Sequence, residues 1–314
     1  MDIESSVKDE SLTVYGKPKE LTVTTLPQND PDEAITETNP IDPMESDFDH
    51  TIDLLDGYKS MITREELTFA ALNGSEAYTL SVMKLHGFAG TESWVDTIKK
   101  AAETFYKTIK ETLKAIKDYF LGDGAKQVEE AGDRAKEAVV AMAELDHDAP
   151  IPDESKVRNP LSYFKGIQES VDLEELFKEY PNVKAAMDKI QTTVGKVKES
   201  DTVAKLGGVY QEMRTNAASA ADAITQAIQK ALSNAEKSAE EVRKVNPSPV
   251  EDSPKEVQDG FKEEHKQNVE KAKEETKRAK ALSGMRTKIT SLLNSITSNA
   301  GAVKTEKKES AFKG

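Results

Sequence analysis

The chain has 314 residues, of which 37% are hydrophobic, 6% aromatic and 32% charged, with a formal net charge of -14 and no cysteine. Without thiols there are no disulfides, no thiolate nucleophiles and no cysteine-ligated zinc or iron–sulfur centres, a composition that suits a reducing cytoplasm. So few aromatic rings argue against one dense core, whereas the high charge suits helices that each bury one stripe and keep the rest wet.

Charge is unevenly spread. Residues 1–56 carry 15 acidic side chains against three lysines, while from Pro254 onward 14 basic residues outnumber nine acidic ones. Taken together, the residues beyond 56 carry a net charge of only about -2, which argues against a nucleic-acid partner, because such proteins show a basic excess there. No run of apolar residues is long enough for a membrane-spanning helix, and Met1-Asp2-Ile3-Glu4 leads into no apolar stretch of the secretory type. The expected address is the cytoplasm.

Proline punctuates the chain. Pro18, Pro27, Pro31, Pro40 and Pro43 crowd the first 45 residues, and the next is Pro150. A proline inside a helix costs about 3 kcal/mol, so long helices are expected in the proline-free runs 44–149, 182–246 and 255–314. Residues 1–46 show no helical stripe and read as a disordered acidic leader. From Asp47 the pattern turns helical. Ile52, Leu55 and Tyr58 share a face, Thr63-Arg64-Glu65-Glu66 has the spacing of a capping box, and Tyr78, Val82 and Leu85 continue to a stop at His86-Gly87.

Trp94, Ile98, Ala102, Phe105, Ile109, Leu113, Ile116 and Phe120 then recur at steps of three and four, one continuous stripe on a 3.6-residue period. Gly122 is expected to end this helix in the left-handed conformation. An Ala-rich helix over 125–145 follows, with Val128, Ala131, Ala135, Val139 and Met142 on one side. Residues 147–160, which hold Pro150, Pro152 and Pro160, read as a linker. Short helices are expected around Phe164, Ile167, Leu173, Leu176 and Phe177. Val183, Met187, Ile190, Val194 and Val197 step nearly as a heptad. Beyond a Gly207-Gly208 joint the seam resumes at Tyr210, Met213, Ala217, Ala220, Ile224, Ala227 and Ala231, the pattern of a coiled coil or antiparallel hairpin. Residues 255–282 read as a solvated charged helix, followed by a short amphipathic helix around Met285, Ile289, Leu292, Leu293 and Ile296.

The expected fold is thus all-α: an amphipathic helical bundle or set of hairpins behind a disordered acidic N-terminal segment. Its organisation is a leader (1–46), a helical domain (47–146), a linker (147–160), a helical, coiled-coil-like domain (161–246) and a charged helical tail (247–314).

Reactive chemistry is sparse. His50, His86, His147 and His265 are the only histidines, and none has another three or four residues away to share a metal on a helix. His50 lies near Asp47, Asp49 and Asp53, and His147 between Asp146 and Asp148. In so acidic a chain these read as solvated residues rather than cation sites. The phosphate-loop, dinucleotide, nucleophile-elbow and zinc-protease spacings are missing, and the aspartates lack EF-hand order. No catalytic residue, cofactor or metal is expected, and the chain reads as a non-enzyme.

The residues expected to make a helix-association face are Trp94, Ile98, Phe105, Ile109, Leu113, Ile116, Phe120, Met187, Ile190, Val194, Tyr210, Met213 and Ile224. For the 94–120 stripe two readings stand: packing within the bundle, or, with Lys99, Lys100, Lys107, Lys110, Lys114 and Lys117 on its polar side, lying on a membrane surface. The seam over 183–245 is either the bundle's own core or a self-association surface. The expected partners are therefore proteins, including a second copy, with a membrane surface or client protein as the alternative.

The plan of a cysteine-free chain with an acidic, Pro-containing leader and Ala/Lys/Glu-rich helices resembles the internal head proteins of large tailed bacteriophages. Some of these are trimmed by a protease that prefers a small residue, any residue, then Glu. Gly74-Ser75-Glu76, Gly90-Thr91-Glu92, Ala101-Ala102-Glu103, Ala135-Lys136-Glu137, Ser238-Ala239-Glu240, Ala239-Glu240-Glu241 and Ala272-Lys273-Glu274 match that pattern. The resemblance implies a virion structural protein made in the host cytoplasm and packed inside the capsid.

Overall fold

A computed structural model describes residues 44–63, 72, 74–88, 94–151, 173–197, 199–244 and 254–303, without the side chains of residues 63, 94–99 and 258. The acidic leader up to residue 43, the 63–66 capping box, the helices expected around Phe164 and Ile167, and most of the linker lie outside them. Eight helices are described: α1 (Glu45–Thr63), α2 (Ser75–Leu85), α3 (Trp94–Leu121), α4 (Asp123–Ala143), α5 (Leu173–Glu179), α6 (Pro181–Val197), α7 (Val203–Lys244) and α8 (Lys255–Ala302). Among the described residues there is no strand, only one isolated bridge between Pro150 and Thr202. The fold is all-α.

The 42-residue α7 and 48-residue α8 make the most extensive contact in the molecule. At 1.5 Å per residue each is longer than about 60 Å. They run antiparallel: Tyr210 lies against Asn299, and Thr225 against Arg286. The α7 side is small, with Ala217, Ala220, Ala221, Ala231, Ala235 and Ala239 buried alongside Ile224 and Ile228. The α8 side buries Ala272, Ala279, Leu282, Ile289 and Leu293, interspersed with hydroxyls. Those hydroxyls turn back on their own helix: Thr276 donates to the Ala272 carbonyl at 2.8 Å and Ser291 to Thr287 at 3.1 Å. A buried Ser or Thr satisfied in this way acts as a small residue, and no polar group is stranded in the seam on its account.

The joint expected at Gly207-Gly208 is not a joint. Both glycines are helical, and the chain reverses at 199–202. The cap decides the matter. Thr202 accepts the Lys205 amide on its hydroxyl at 3.4 Å, and the next orphan donors, Val203 and Ala204, bond to the carbonyls of Ala149 and His147 at 3.2 Å each. The 147–151 stretch is thus not a free linker but the lid on the N-terminus of α7.

Gly122 also differs from expectation. Its φ is -104°, not left-handed, and it is the single residue between α3 and α4. One residue cannot reverse a chain; helix hairpins use about 2–8. So α3 and α4 do not pack face to face. They follow one another along the α7–α8 pair, α3 meeting α7 through Glu103–Arg243 and Lys110–Glu236, α4 meeting α8 through Arg134–Asn294.

Helices α1 and α2 form a hairpin that closes the α3 side. They cross at Gly57, where an added Cβ would sit 2.1 Å from the Thr79 hydroxyl and 2.3 Å from the Ser75 carbonyl oxygen. The hairpin ends as expected for His86-Gly87. Gly87 has φ +93°, its amide bonds to Lys84 at 3.0 Å, and the Phe88 amide returns to Met83 at 3.1 Å, with both of those side chains buried. On the other flank α6 opens with Pro181 at its first position and lies antiparallel on α7, with Asn216 donating to Thr193 at 2.9 Å and Lys196 meeting Glu212 at 2.8 Å.

The molecule departs from the sequence-based plan in two further ways. The 47–146, 161–246 and 247–314 segments share one core. And 255–282 is no separate solvated helix: α8 is continuous from Lys255 to Ala302, with Val269, Ala272, Thr276 and Ala279 fully buried. Charged residues between them disguise a stripe of small apolar ones.

Stability measurements test this packing. Gly57→Ala should cost about 1–3 kcal/mol by overpacking the α1–α2 crossing. Gly132→Ala, in open space on α4, should instead gain up to about 1 kcal/mol from helix propensity. The Tyr58 hydroxyl is buried without a hydrogen-bond partner among the described residues, so Tyr58→Phe should leave urea stability unchanged or raise it by about 1 kcal/mol.

Candidate functional site

The described side chains of the expected association face are used inside the molecule. Phe105, Ile109, Leu113, Ile116 and Phe120 are all buried, toward α1 and α7. Tyr58 stacks on Phe105 with ring centroids 3.9 Å apart and planes 11° from parallel, and Phe48 approaches Phe120 at 6.3 Å. Met187, Ile190 and Val194 are buried on α6, and Tyr210, Met213 and Ile224 on α7. Trp94 and Ile98 open α3, but their side chains lie outside the described residues. A membrane surface could reach the Phe105–Phe120 stripe only after α1 had left it. Among its described residues, the charged side chains that α3 exposes to solvent are Lys100, Glu103, Lys107, Lys110, Glu111, Lys114 and Asp118.

The charges that matter form sets between helices. The first joins α1 to α8. Lys59 pairs with Glu270, Asp56 with Lys273 at 2.5 Å, and Asp49 with Lys280 at 2.7 Å, Glu45 reaching the same lysine at 3.5 Å. A rising number on α1 meets a falling one on α8, so the ladder fixes an antiparallel register. The Lys273 side chain is only 15% exposed. The hydrogen bond from Lys59 holds the Glu270 carboxyl below the usual glutamate range against the opposing effect of burial, and Lys273 adds to the lowering. Burial alone would lower the Lys273 ammonium, but the bond and charge of Asp56 override it and raise it.

A second set ties α5 to the long pair. Lys230 bonds to Glu179 at 2.9 Å and lies 5.2 Å over the Tyr180 ring, while Arg278 bridges Glu175 at 3.1 Å and Glu275 at 2.6 Å. Lys230 lowers Glu179, and burial first, then the Glu275 and Glu179 charges, raise the Tyr180 hydroxyl. The third feature is Arg286, nearly buried on α8 at the α3–α4 junction. Its guanidinium donates to the Gly124 carbonyl at 2.6 Å and the Thr225 hydroxyl at 3.1 Å, and lies 5.3 Å from the Phe120 ring centre. It thereby joins α3, α4, α7 and α8 at the one place where the α3–α4 path is broken.

Sequence reasoning missed these sets. The signal was present for the first: Asp49 and Asp56 are seven residues apart, as are Lys273 and Lys280, so complementary charges recur at one heptad interval on two distant helices. Nothing local marks Arg286, which in sequence is one more basic residue.

The histidines do not converge. His50 contacts the Tyr78 hydroxyl at 2.5 Å, His86 lies 3.5 Å from Glu111, His147 bonds to the Ala143 carbonyl at 2.7 Å, and His265 is buried beside Phe261. Among the described residues no group of three or more His, Asp or Glu side chains is placed to hold a metal ion, and no helix is long and apolar enough to cross a membrane. Of the small-any-Glu tripeptides, those at 101–103, 135–137, 238–240, 239–241 and 272–274 are helical and 74–76 opens α2; Gly90-Thr91-Glu92 lies outside the described residues. No protein-family model, curated protein or solved structure shows a significant match to this chain.

Glu270 makes the ladder sensitive to acid. Its folded-state value lies below the ordinary 4.5, so the stability it contributes is complete above that pH and is lost as pH falls through the folded value. Urea midpoints of the native chain should therefore drop faster on acidification below 4.5 than those of Glu270→Gln, and the two curves should converge in strong acid.

Proposed function

We propose that this is a non-catalytic structural or assembly protein that works through helix–helix association, and that it serves as an internal virion protein made in the host cytoplasm. The observation that carries the reading is where the chemistry goes. The described ionisable clusters are ladders and bridges between helices, and the apolar stripes end in other helices. Side chains arranged this way hold elements in register and present no gathered acid, base or nucleophile to a substrate. The cysteine-free, Ala/Lys/Glu-rich layout behind an acidic leader supports the virion assignment by resemblance.

Protein recovered from its native source should sediment with a large assembly, and mass spectrometry should find its N-terminus shortened within the leader. Monomeric behaviour at high concentration together with an intact N-terminus would overturn the reading. Anionic vesicles separate it from membrane coating: Trp94 emission should stay unshifted, and a blue shift with a gain of helicity would favour the membrane instead.

A further inference from the structure

Lys114, Lys107 and Lys100 stand 8, 15 and 22 residues before Gly122, and Glu130, Glu137 and Glu144 stand 8, 15 and 22 residues after it. Bases on α3 are thus mirrored by acids on and just past α4, about the break between the two helices. The order is kept in space, because α3 and α4 follow one line antiparallel to α7. Glu103 meets Arg243, Lys110 meets Glu236, and the His147 carbonyl accepts the Ala204 amide at 3.2 Å. All six mirrored residues are exposed. A seven-residue interval keeps each set near one line of its helix, drifting only about 20° per step. Among the described residues, Lys107, Lys114, Glu130, Glu137 and Glu144 make no ion pair within the chain. Leu121, seven residues past Lys114, continues the basic line to the break and is 56% exposed.

We propose that two copies of the chain associate through this face, the α3–α4 line of one lying antiparallel to that of the other about a two-fold axis at Gly122. Such an axis sets Lys100 opposite Glu144, Lys107 opposite Glu137 and Lys114 opposite Glu130, and repeats each pair on its other side, as a self-complementary contact requires. Asp118 and Lys126, four residues either side of Gly122, add a further pair, with Lys126 already 3.7 Å from Asp123. The two copies' Leu121 side chains come together at the axis, an apolar centre with a polar rim. Charge selects this occupant and this alignment. A parallel copy in register would set lysine on lysine and glutamate on glutamate. A shift by one heptad leaves Lys100 or Glu144 without its opposite and parts the two Leu121 side chains. Like charges face each other at two points, and the chain already engages residues at both. Lys110 and Arg134 are turned to Glu236 and Asn294, and Glu111, opposite Asp133, lies beside His86. The inference rests on the assembly reading and deepens it, naming a second copy as the partner and the α3–α4 face as the surface.

Charge exchange tests it. At about 0.1 M salt, where the Debye length is about 10 Å, sedimentation equilibrium of the native chain should give a two-chain mass; at about 1 M, where that length is about 3 Å, the mass should fall to one chain. Lys107→Glu/Lys114→Glu and Glu130→Lys/Glu137→Lys each set like charges against each other across the axis, so either variant alone should stay at one-chain mass. Their equimolar mixture restores opposite charges on both sides and should recover the two-chain mass. Variants that dimerise as well alone as mixed, or a mixture that stays monomeric with both variants helical by circular dichroism, overturn the proposal. Should either variant fail to fold, the native chain decides. Carbodiimide coupling should join Lys107 to Glu137 and Lys114 to Glu130. Within one chain Lys107 and Glu137 are 30 residues apart along a single line, about 45 Å at 1.5 Å per residue, so that link forms only between chains. A coupled dimer whose peptide map contains neither link overturns the proposal. If the native chain self-associates while the mixture and the links both fail, this face is wrong and the assembly reading stands. A native chain that is monomeric even at high concentration ends this inference, and ends the assembly reading only if its N-terminus is also intact in the native source. Binding to anionic vesicles that Lys107→Glu/Lys114→Glu abolishes, with no two-chain species, assigns the lysines to a membrane and likewise overturns the proposal.

Discussion

Alanines, isoleucines and inward-turned hydroxyls on the facing sides of α7 and α8 let helices of 42 and 48 residues lie together over most of their lengths. Every other described helix is placed by what that pair leaves open. A helix of this length has little reason to persist in water alone, because helical stability comes chiefly from burying one face. Here each long helix supplies the other's face. The third side of the pair is filled by α3 and α4 in succession, the flank of α7 by α6, and the α8 and α3 side by the α1–α2 hairpin. If the seam were lost, the remaining helices would have no common surface to pack against.

Small side chains bring backbones together but say little about register, because an alanine stripe looks much the same when shifted by a turn. Charged side chains supply the missing specification. The α1–α8 ladder admits one antiparallel alignment, and Arg278 with Lys230 pins α5 at one height along the pair. Pairs of this kind, partly exposed, contribute modestly to stability, on the order of 1 kcal/mol or less each. Their larger effect is to disfavour misaligned alternatives, in which like charges would meet. Arg286 plays the same role at the Gly122 break, where a guanidinium spans two helix ends that no backbone hydrogen bond joins to α7.

This division of labour also bears on function. A protein whose polar chemistry is devoted to alignment between helices can use the same chemistry to align with another chain. The stripe from Phe105 to Phe120 is covered by α1 and α7, so it is not a free surface of α3.

Much of the fold could be read along the chain. The stripe through α3, the stop at His86-Gly87, the near-heptad of α6 and the alanine seam of α7 each declare a helix, because an amphipathic period is a local property of side-chain spacing. Three errors share one cause. Gly207-Gly208 looks like a joint, Gly122 like a left-handed stop and residues 255–282 like a solvated helix, but a neighbour out of local view supplies what each lacks: the Thr202 cap and the 147–149 carbonyls, the α7–α8 pair, and α1 with its carboxylates. By itself, then, the sequence determined which segments are helical and, on the long helices, which face is apolar, since both depend on neighbours within a few turns; on short α2 the expected stripe fails, Tyr78 and Leu85 being exposed while Thr79, Leu80 and Met83 are buried. Which helix covers which face, where the chain turns back, and which acid meets which base were decided only in the tertiary structure, because those choices are made between residues as far apart in sequence as Asp49 and Lys280.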